Sequence, residues 1–264
     1  MARTLSTPAA HTPWAWALWG GALGALLALA LFAPARWLIG PLEAASHGRV
    51  LLDDTRGTVW NGSARLSLGG GPGSSDKSTL AGRARWHLQP GWGQLQLSVA
   101  AECCMAAPWT IALQPQWGGL HLRADDLQSQ WPAQLLAGLG TPWNTIRAEG
   151  LLALSSQALT AHWSFGRLTV QGQLQLDAQD MASRLSTLRP MGSYRFVVQG
   201  GEVPRLNVST TQGPLQLNGS GQWTDGRLRF EGAATAAPEY QDALTNLLNI
   251  IGRRDGARSL IKVG

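Results

Sequence analysis

The chain has 264 residues, with 21 Lys and Arg against 16 Asp and Glu and a formal net charge of +5. Charged residues are 14% of it and apolar residues 44%; a disordered chain needs more charge and less apolar content, so a folded body with a sizeable core is expected. The positive charge is nearly all arginine and alternates with acidic residues along the chain. A nucleic-acid reader shows instead a basic stripe laced with aromatics, so nucleic acid is not an expected partner.

Residues 15–33 read AWALWGGALGALLALALFA, and no charged side chain lies between Arg3 and Arg36. A bilayer core about 30 Å thick needs roughly 20 apolar residues, so this stretch predicts a single transmembrane helix. The rival readings fit less well. A cleaved signal peptide has a shorter apolar core, and its small-x-small site would here contain Pro34. A buried helix of a soluble protein would show a polar face. The predicted organisation is a cytoplasmic tail over 1–14, the membrane helix over 15–39, a connector over 40–49 and a periplasmic β-rich domain over 50–264. Trp14, Trp16, Trp19 and Trp37 lie towards the ends of the span, as interfacial rings do. Gly20 and Gly24 form a small-xxx-small pair suited to helix packing, although glycine is common in membrane helices in any case. Pro34 and Pro41 are expected to limit helix in the connector.

From Val50 the pattern changes to period two. Thr58-Val59-Trp60 favours a strand, and Asn61-Gly62 is a strong hairpin signal. Residues 69–78, GGGPGSSDKS, read as an exposed loop. A glycine followed by apolar residues two apart then recurs at Gly82, Gly93, Gly119, Gly150, Gly172, Gly213 and Gly226. This puts leucines on one face and Gln, Arg, His and Asp on the other, which predicts a curved, mostly antiparallel sheet and a mainly β fold. Two stretches depart from it. Residues 131–140 have proline near a helix start and glycine at the end, room for a short helix of about two turns. Residues 238–252 place Tyr240, Leu244, Leu247, Leu248 and Ile251 at helical spacing, with Gly252 as the expected C-cap. Residues 259–263 read as a last short strand.

No catalytic constellation is legible, and no enzymatic activity, metal or cofactor is expected. His11, His47, His87, His121 and His162 are scattered. Asp53-Asp54 and Asp125-Asp126 are adjacent pairs, which a strand would point to opposite faces. Cys103 and Cys104 are neighbours, with Cα atoms about 3.8 Å apart where ordinary disulfides span roughly 4.4–6.8 Å. The favoured reading is two small residues in or beside a strand; a strained vicinal disulfide and a bridge to another chain are the alternatives. Most of the body's tryptophans are expected in the core or on the sheet faces.

A set of motifs stands in order along the chain. After the apolar helix come Gly57-Thr-Val-Trp60-Asn-Gly62-Ser-Ala, then Trp86 with Leu88 and Pro90. Residues 131–143 follow, with Trp131-Pro132, Gly140, Pro142 and Trp143, and then Pro190-Met-Gly192-Ser-Tyr194. Next are Gly213-Pro214-Leu-Gln-Leu-Asn-Gly219-Ser-Gly221-Gln-Trp223 and Ile251-Gly252-Arg-Arg-Asp-Gly256. The ordered set resembles the N protein family of the bacterial type II secretion system and covers nearly the whole chain. The resemblance implies an inner-membrane, single-pass accessory protein with its bulk in the periplasm. Its implied partners are the other secretion subunits and inner-membrane lipids. It also implies a fold-level likeness to AsmA-like proteins, whose curved sheets form apolar grooves, and hence a rival reading as a binder of lipid or apolar segments.

Overall fold

The computed structural model describes residues 14–224 and 226–264. The predicted tail 1–14 lies outside them except for Trp14. The first element is helix α1, Trp14–Leu31. Its 18 residues rise only about 27 Å at 1.5 Å each. It ends at Leu31 rather than at 39, because Pro34 has no N–H to continue the helix and Ala33 is diverted: the Val59 N–H donates to its carbonyl at 2.8 Å. Among the described residues no helix is long and apolar enough to cross a membrane, which corrects the expected span over 15–39. A 3-10 turn, Ala35–Leu38, leads into helix α2, Ile39–Ala45. The expected connector is therefore mostly helical. Pro41 falls in the first turn of α2, where a missing N–H costs nothing.

Sixteen strands follow in one sheet. They are β1 (Val50–Gly57), β2 (Asn61–Gly69), β3 (Lys77–Thr79), β4 (Ala84–Gly91), β5 (Gln94–Ala101), β6 (Trp109–Gln116), β7 (Gly119–Ala124) and β8 (Gln128–Pro132). After helix α3 (Trp143–Ile146) come β9 (Glu149–Ser164), β10 (Arg167–Ala182), β11 (Gly192–Gly201), β12 (Arg205–Gln212), β13 (Leu215–Thr224) and β14 (Arg227–Ala236). Helix α4 (Gln241–Ile251) then precedes β15 (Arg253–Asp255) and β16 (Arg258–Val263).

The sheet is an open meander. Its order is β1-β2-β4-β5-β6-β7-β9-β10-β11-β12-β13-β14-β16-β15, with β3 on β2 and β8 on β9. The pairing between successive strands is antiparallel throughout, so alternate hairpin turns lie on the same edge of the sheet. That edge carries the β1–β2, β4–β5, β6–β7, β9–β10, β11–β12 and β13–β14 turns. The opposite edge carries the longer connections and α4.

Three local expectations change. The β1–β2 turn is Thr58–Trp60, and Gly57 pairs with Gly62; Asn61-Gly62 begins a strand instead of forming the turn. Gly172 lies inside β10, at a bulge opposite Ala158, with φ +95° and +48° respectively. Such bulges bend long strands, and the register shifts again in β10 between Gln179 and Ala182. Gly252 does cap α4, but in extended backbone; its missing side chain makes room for the carbonyl of Leu260 on β16.

The core sits on one face, near the edge that carries the long connections. Leu244, Leu247 and Leu248 of α4 are buried against Leu152, Ala178, Tyr194, Leu215 and Ala234 of the sheet. Burying each of these leucines is worth about 2 kcal/mol. A smaller cluster joins Leu80, Ala101, Cys104 and Leu135. Residues 133–139, within the stretch expected as a short helix, form a 3-10 helix that links the two. It packs closely: a side chain at Gly138 would strike the backbone of Leu68 and Ser78.

Candidate interaction surfaces

The motif residues gather at separate stations. The first is the β1–β2 turn. The indole nitrogen of Trp60 donates to the Ala30 carbonyl of α1 at 2.6 Å, Gly57 has φ +86°, and the Trp86 ring lies where a side chain on Gly62 would go. The second joins Gly192, Tyr194 and Gly213, with Gly192 packed against Gly213 beneath α4. The third is Gly219 and Gly221, which let the Phe230 side chain of the next strand lie flat on them. Trp223 is half-buried nearby, its backbone N–H bonded to the Pro204 carbonyl at 3.0 Å. Pro132 ends β8, and Gly140, φ +79°, ends the following 3-10 helix beside Gly70. A side chain added at Gly20 or Gly24 would meet nothing within 4 Å, so α1 packs on no other described part of the chain there. Chain connectivity brings none of these residues into a single pocket.

Two surfaces have a shape that sequence spacing concealed. The first is the apolar face beyond the reach of α4. Paired residues share a face, and Leu95, Leu113, Leu122, Ala161 and Val170 form one rung across five strands. Leu174, Val198, Leu206, Gly221, Phe230 and Val263 form another. Most of these side chains are half-buried rather than covered. The opposite face is polar and brings together His121 and His162, which pair across β7 and β9 with ring centroids 6.1 Å apart. Nothing in their spacing signals this; only the register of two strands does.

The second surface is an open cleft of about 610 Å³ lined by Glu102, Cys103, Cys104, Gln128, Leu154 and Asp177. The two cysteines form a vicinal disulfide in the turn after β5, one of the alternatives to the favoured reading of two small residues in or beside a strand. Asp177 is held by Arg195 at 2.6 Å and by the Gln175 amide at 2.7 Å. Burial raises the Asp177 carboxyl, but those two partners outweigh it and the net shift is downward. Asp53 and Asp54 point to different partners, as adjacent strand residues do: Asp53 meets Lys77 at 2.8 Å, and Asp54 meets Arg83 at 2.7 Å. Among the described residues no three His, Cys, Asp or Glu side chains gather as metal ligands would.

The tryptophans divide. Trp86 and Trp131 are partly buried, whereas Trp92 and Trp117 stand fully exposed at hairpin tips and Trp163 is half-exposed. Trp92 and Trp117 are exceptions to what is expected of most tryptophans, because a two-residue turn leaves nothing to pack over its tip.

The family model of type II secretion system protein N matches residues 48–260. The chain belongs to that family. The match runs from the residues before β1 into β16 and so takes in all of the sheet but the end of β16, α4 and every motif station from Gly57 to Gly252. Membership makes the protein a type II secretion component, associated with the other components of that system. No curated protein and no solved structure matches the chain.

Proposed function

We propose that the protein is a non-enzymatic accessory subunit of the type II secretion system, attached to the inner membrane by its N-terminal apolar segment. Its sheet lies in the periplasm and contributes to the export of folded proteins through contacts with other subunits. The observation that carries this reading is the family match over 48–260. Two features support it. The vicinal disulfide suits an oxidising compartment such as the periplasm. Among the described strands β1 ends the sheet with one side unpaired, as strand addition requires, whereas β15 at the other end is blunted by exposed Arg253 and Arg254. In-cell photo-crosslinking from Val59, Tyr240 and Ile250 tests the proposal. Adducts with other secretion subunits are expected; recovery of none from any of the three positions would sink it.

One observation favours a second reading, an open trough for lipid or apolar segments. The leucine rungs are half-buried, so part of the apolar face stays open to solvent. Native mass spectrometry of protein extracted in mild detergent decides it: co-purified lipid supports the trough, and bare protein counts against it.

A further inference from the structure

Three neighbouring hairpins end in exposed aromatic side chains. Trp92 tips β4–β5, Trp117 tips β6–β7 and Phe165 tips β9–β10, all strongly exposed. The second and third tips are joined, since the Phe165 N–H donates to the Gly118 carbonyl at 3.3 Å and its ring lies over Gly118. Behind them Trp163 and Leu168 pair across β9 and β10 and are 50% and 64% exposed. These rings form an apolar rim on a protein whose other large hydrophobics are mostly covered or belong to α1.

Charge adds a second, independent observation. The stretches nearest the tips, 86–99, 111–122 and 157–171, contain His87, His121, His162 and Arg167 but no Asp or Glu. The rim is thus aromatic at its tips, with Arg167 two residues from Phe165 and no carboxylate in these stretches. Position adds a third. The β1–β2 turn, which is hydrogen-bonded to α1 through Trp60 and to Ala33 just beyond it through Val59, belongs to the same edge of the meander. The uncharged helix α1, exposed from Trp16 to Leu31, therefore leaves the body from the edge that carries the rim.

We infer that this rim docks on an anionic phospholipid surface, with Trp92, Trp117 and Phe165 seated among the headgroups and Arg167 facing a lipid phosphate. Aromatic rings with a polar handle favour the membrane–water interface, and basic residues beside them favour anionic headgroups. The docking would fix the sheet against the bilayer instead of leaving it on a free tether. The inference rests on the membrane attachment proposed above.

The test uses the full chain in vesicles of phosphatidylcholine with phosphatidylglycerol, carrying a lipid-borne spin-label quencher. A nitrobenzoxadiazole fluorophore is placed on Trp117→Cys, on Trp92→Cys, on Leu23→Cys in α1 and on Ser75→Cys at the opposite edge of the sheet. The native cysteines are bonded to each other and do not compete for label. Quenching at 117 and 92 severalfold above that at 75, and weaker in phosphatidylcholine alone, is the expected result. If position 23 is quenched while 117 and 92 match 75, the docking is overturned and the membrane attachment stands. If position 23 is unquenched, the attachment itself fails. Equal quenching in both lipid compositions overturns the anionic preference. A benzophenone side chain at position 117 that links to a protein in cells, and not to lipid, assigns the rim to a protein partner and overturns the inference.

Discussion

Trp60 and Ala30 are thirty residues apart in sequence, and the indole nitrogen of the first donates to the carbonyl of the second at 2.6 Å. Ala30 lies in the last turn of α1, where backbone carbonyls have no partner within the helix. Trp60 thus caps the helix from the tip of the first hairpin, and the Val59–Ala33 bond beside it makes the junction two-pronged. A motif tryptophan of the body is in this way the residue that attaches the body to α1.

Trp60→Phe removes that donor and keeps an aromatic ring. The bond is exposed, so the loss is about 1 kcal/mol and confined to the junction. The melting temperature of the sheet should change by no more than a few degrees, while trypsin cleavage after Arg36 accelerates severalfold. Unchanged cleavage would mean that the cap holds nothing.

Gly213 and Gly226 both have positive φ, +112° and +74°, yet substitution should separate them. A side chain on Gly213 would run into the backbone of Met191 and Gly192, whereas Gly226 faces open space. Gly226→Ala should cost about 1 kcal/mol, the left-handed penalty alone. Gly213→Ala should cost well over about 2 kcal/mol, since the close approach of two backbones must also open. Urea denaturation of the two variants reads the difference directly, and equal midpoints would contradict it.

Tyr194 is buried beneath α4 with no hydrogen-bond partner for its hydroxyl among the described residues. Burial pushes its phenol well above the ordinary range. Because the folded value is the higher one, its contribution is fully present below the unfolded value near pH 10 and falls as pH rises beyond it. Tyr194→Phe should therefore raise stability by about 1 kcal/mol at neutral pH and flatten the alkaline decline. Thermal melts at neutral pH and above pH 10 measure both effects; a less stable variant would show that the hydroxyl has a partner.

Asp177 and Asp53 are held below the usual carboxylate range. Burial pulls Asp177 the other way, but Arg195 and Gln175 together outweigh it; Asp53 is held down by Lys77 and Ser67. With folded values depressed, both contribute stability above the unfolded values near pH 4 and lose it as pH falls through the folded values. Acid melts should show stability declining below about pH 4, and Asp177→Asn should shallow that slope. The effect at neutral pH should stay at or below about 1 kcal/mol, because both pairs are partly open to water. An acid limb unchanged by the substitution would remove Asp177 from the account.

The sequence by itself determined the mainly β architecture, the C-terminal helix with Leu244, Leu247 and Leu248 on its apolar side, and the family. Those rest on short-range periodicity and on ordered motifs, and each strand of a meander pairs with a neighbour close in sequence. Tertiary structure alone decided where α1 stops, because that depends on Val59 reaching back to Ala33. It also moved the first turn to Thr58–Trp60 and made Gly172 a bulge, since a glycine signals freedom without saying whether a turn or a bulge will use it. Cys103 and Cys104 are joined only because the connection after β5 holds them in a tight turn. The rim of Trp92, Trp117 and Phe165 was beyond the sequence for the same reason. Tips from three hairpins, far apart along the chain, become neighbours only when the register of the strands between them is set.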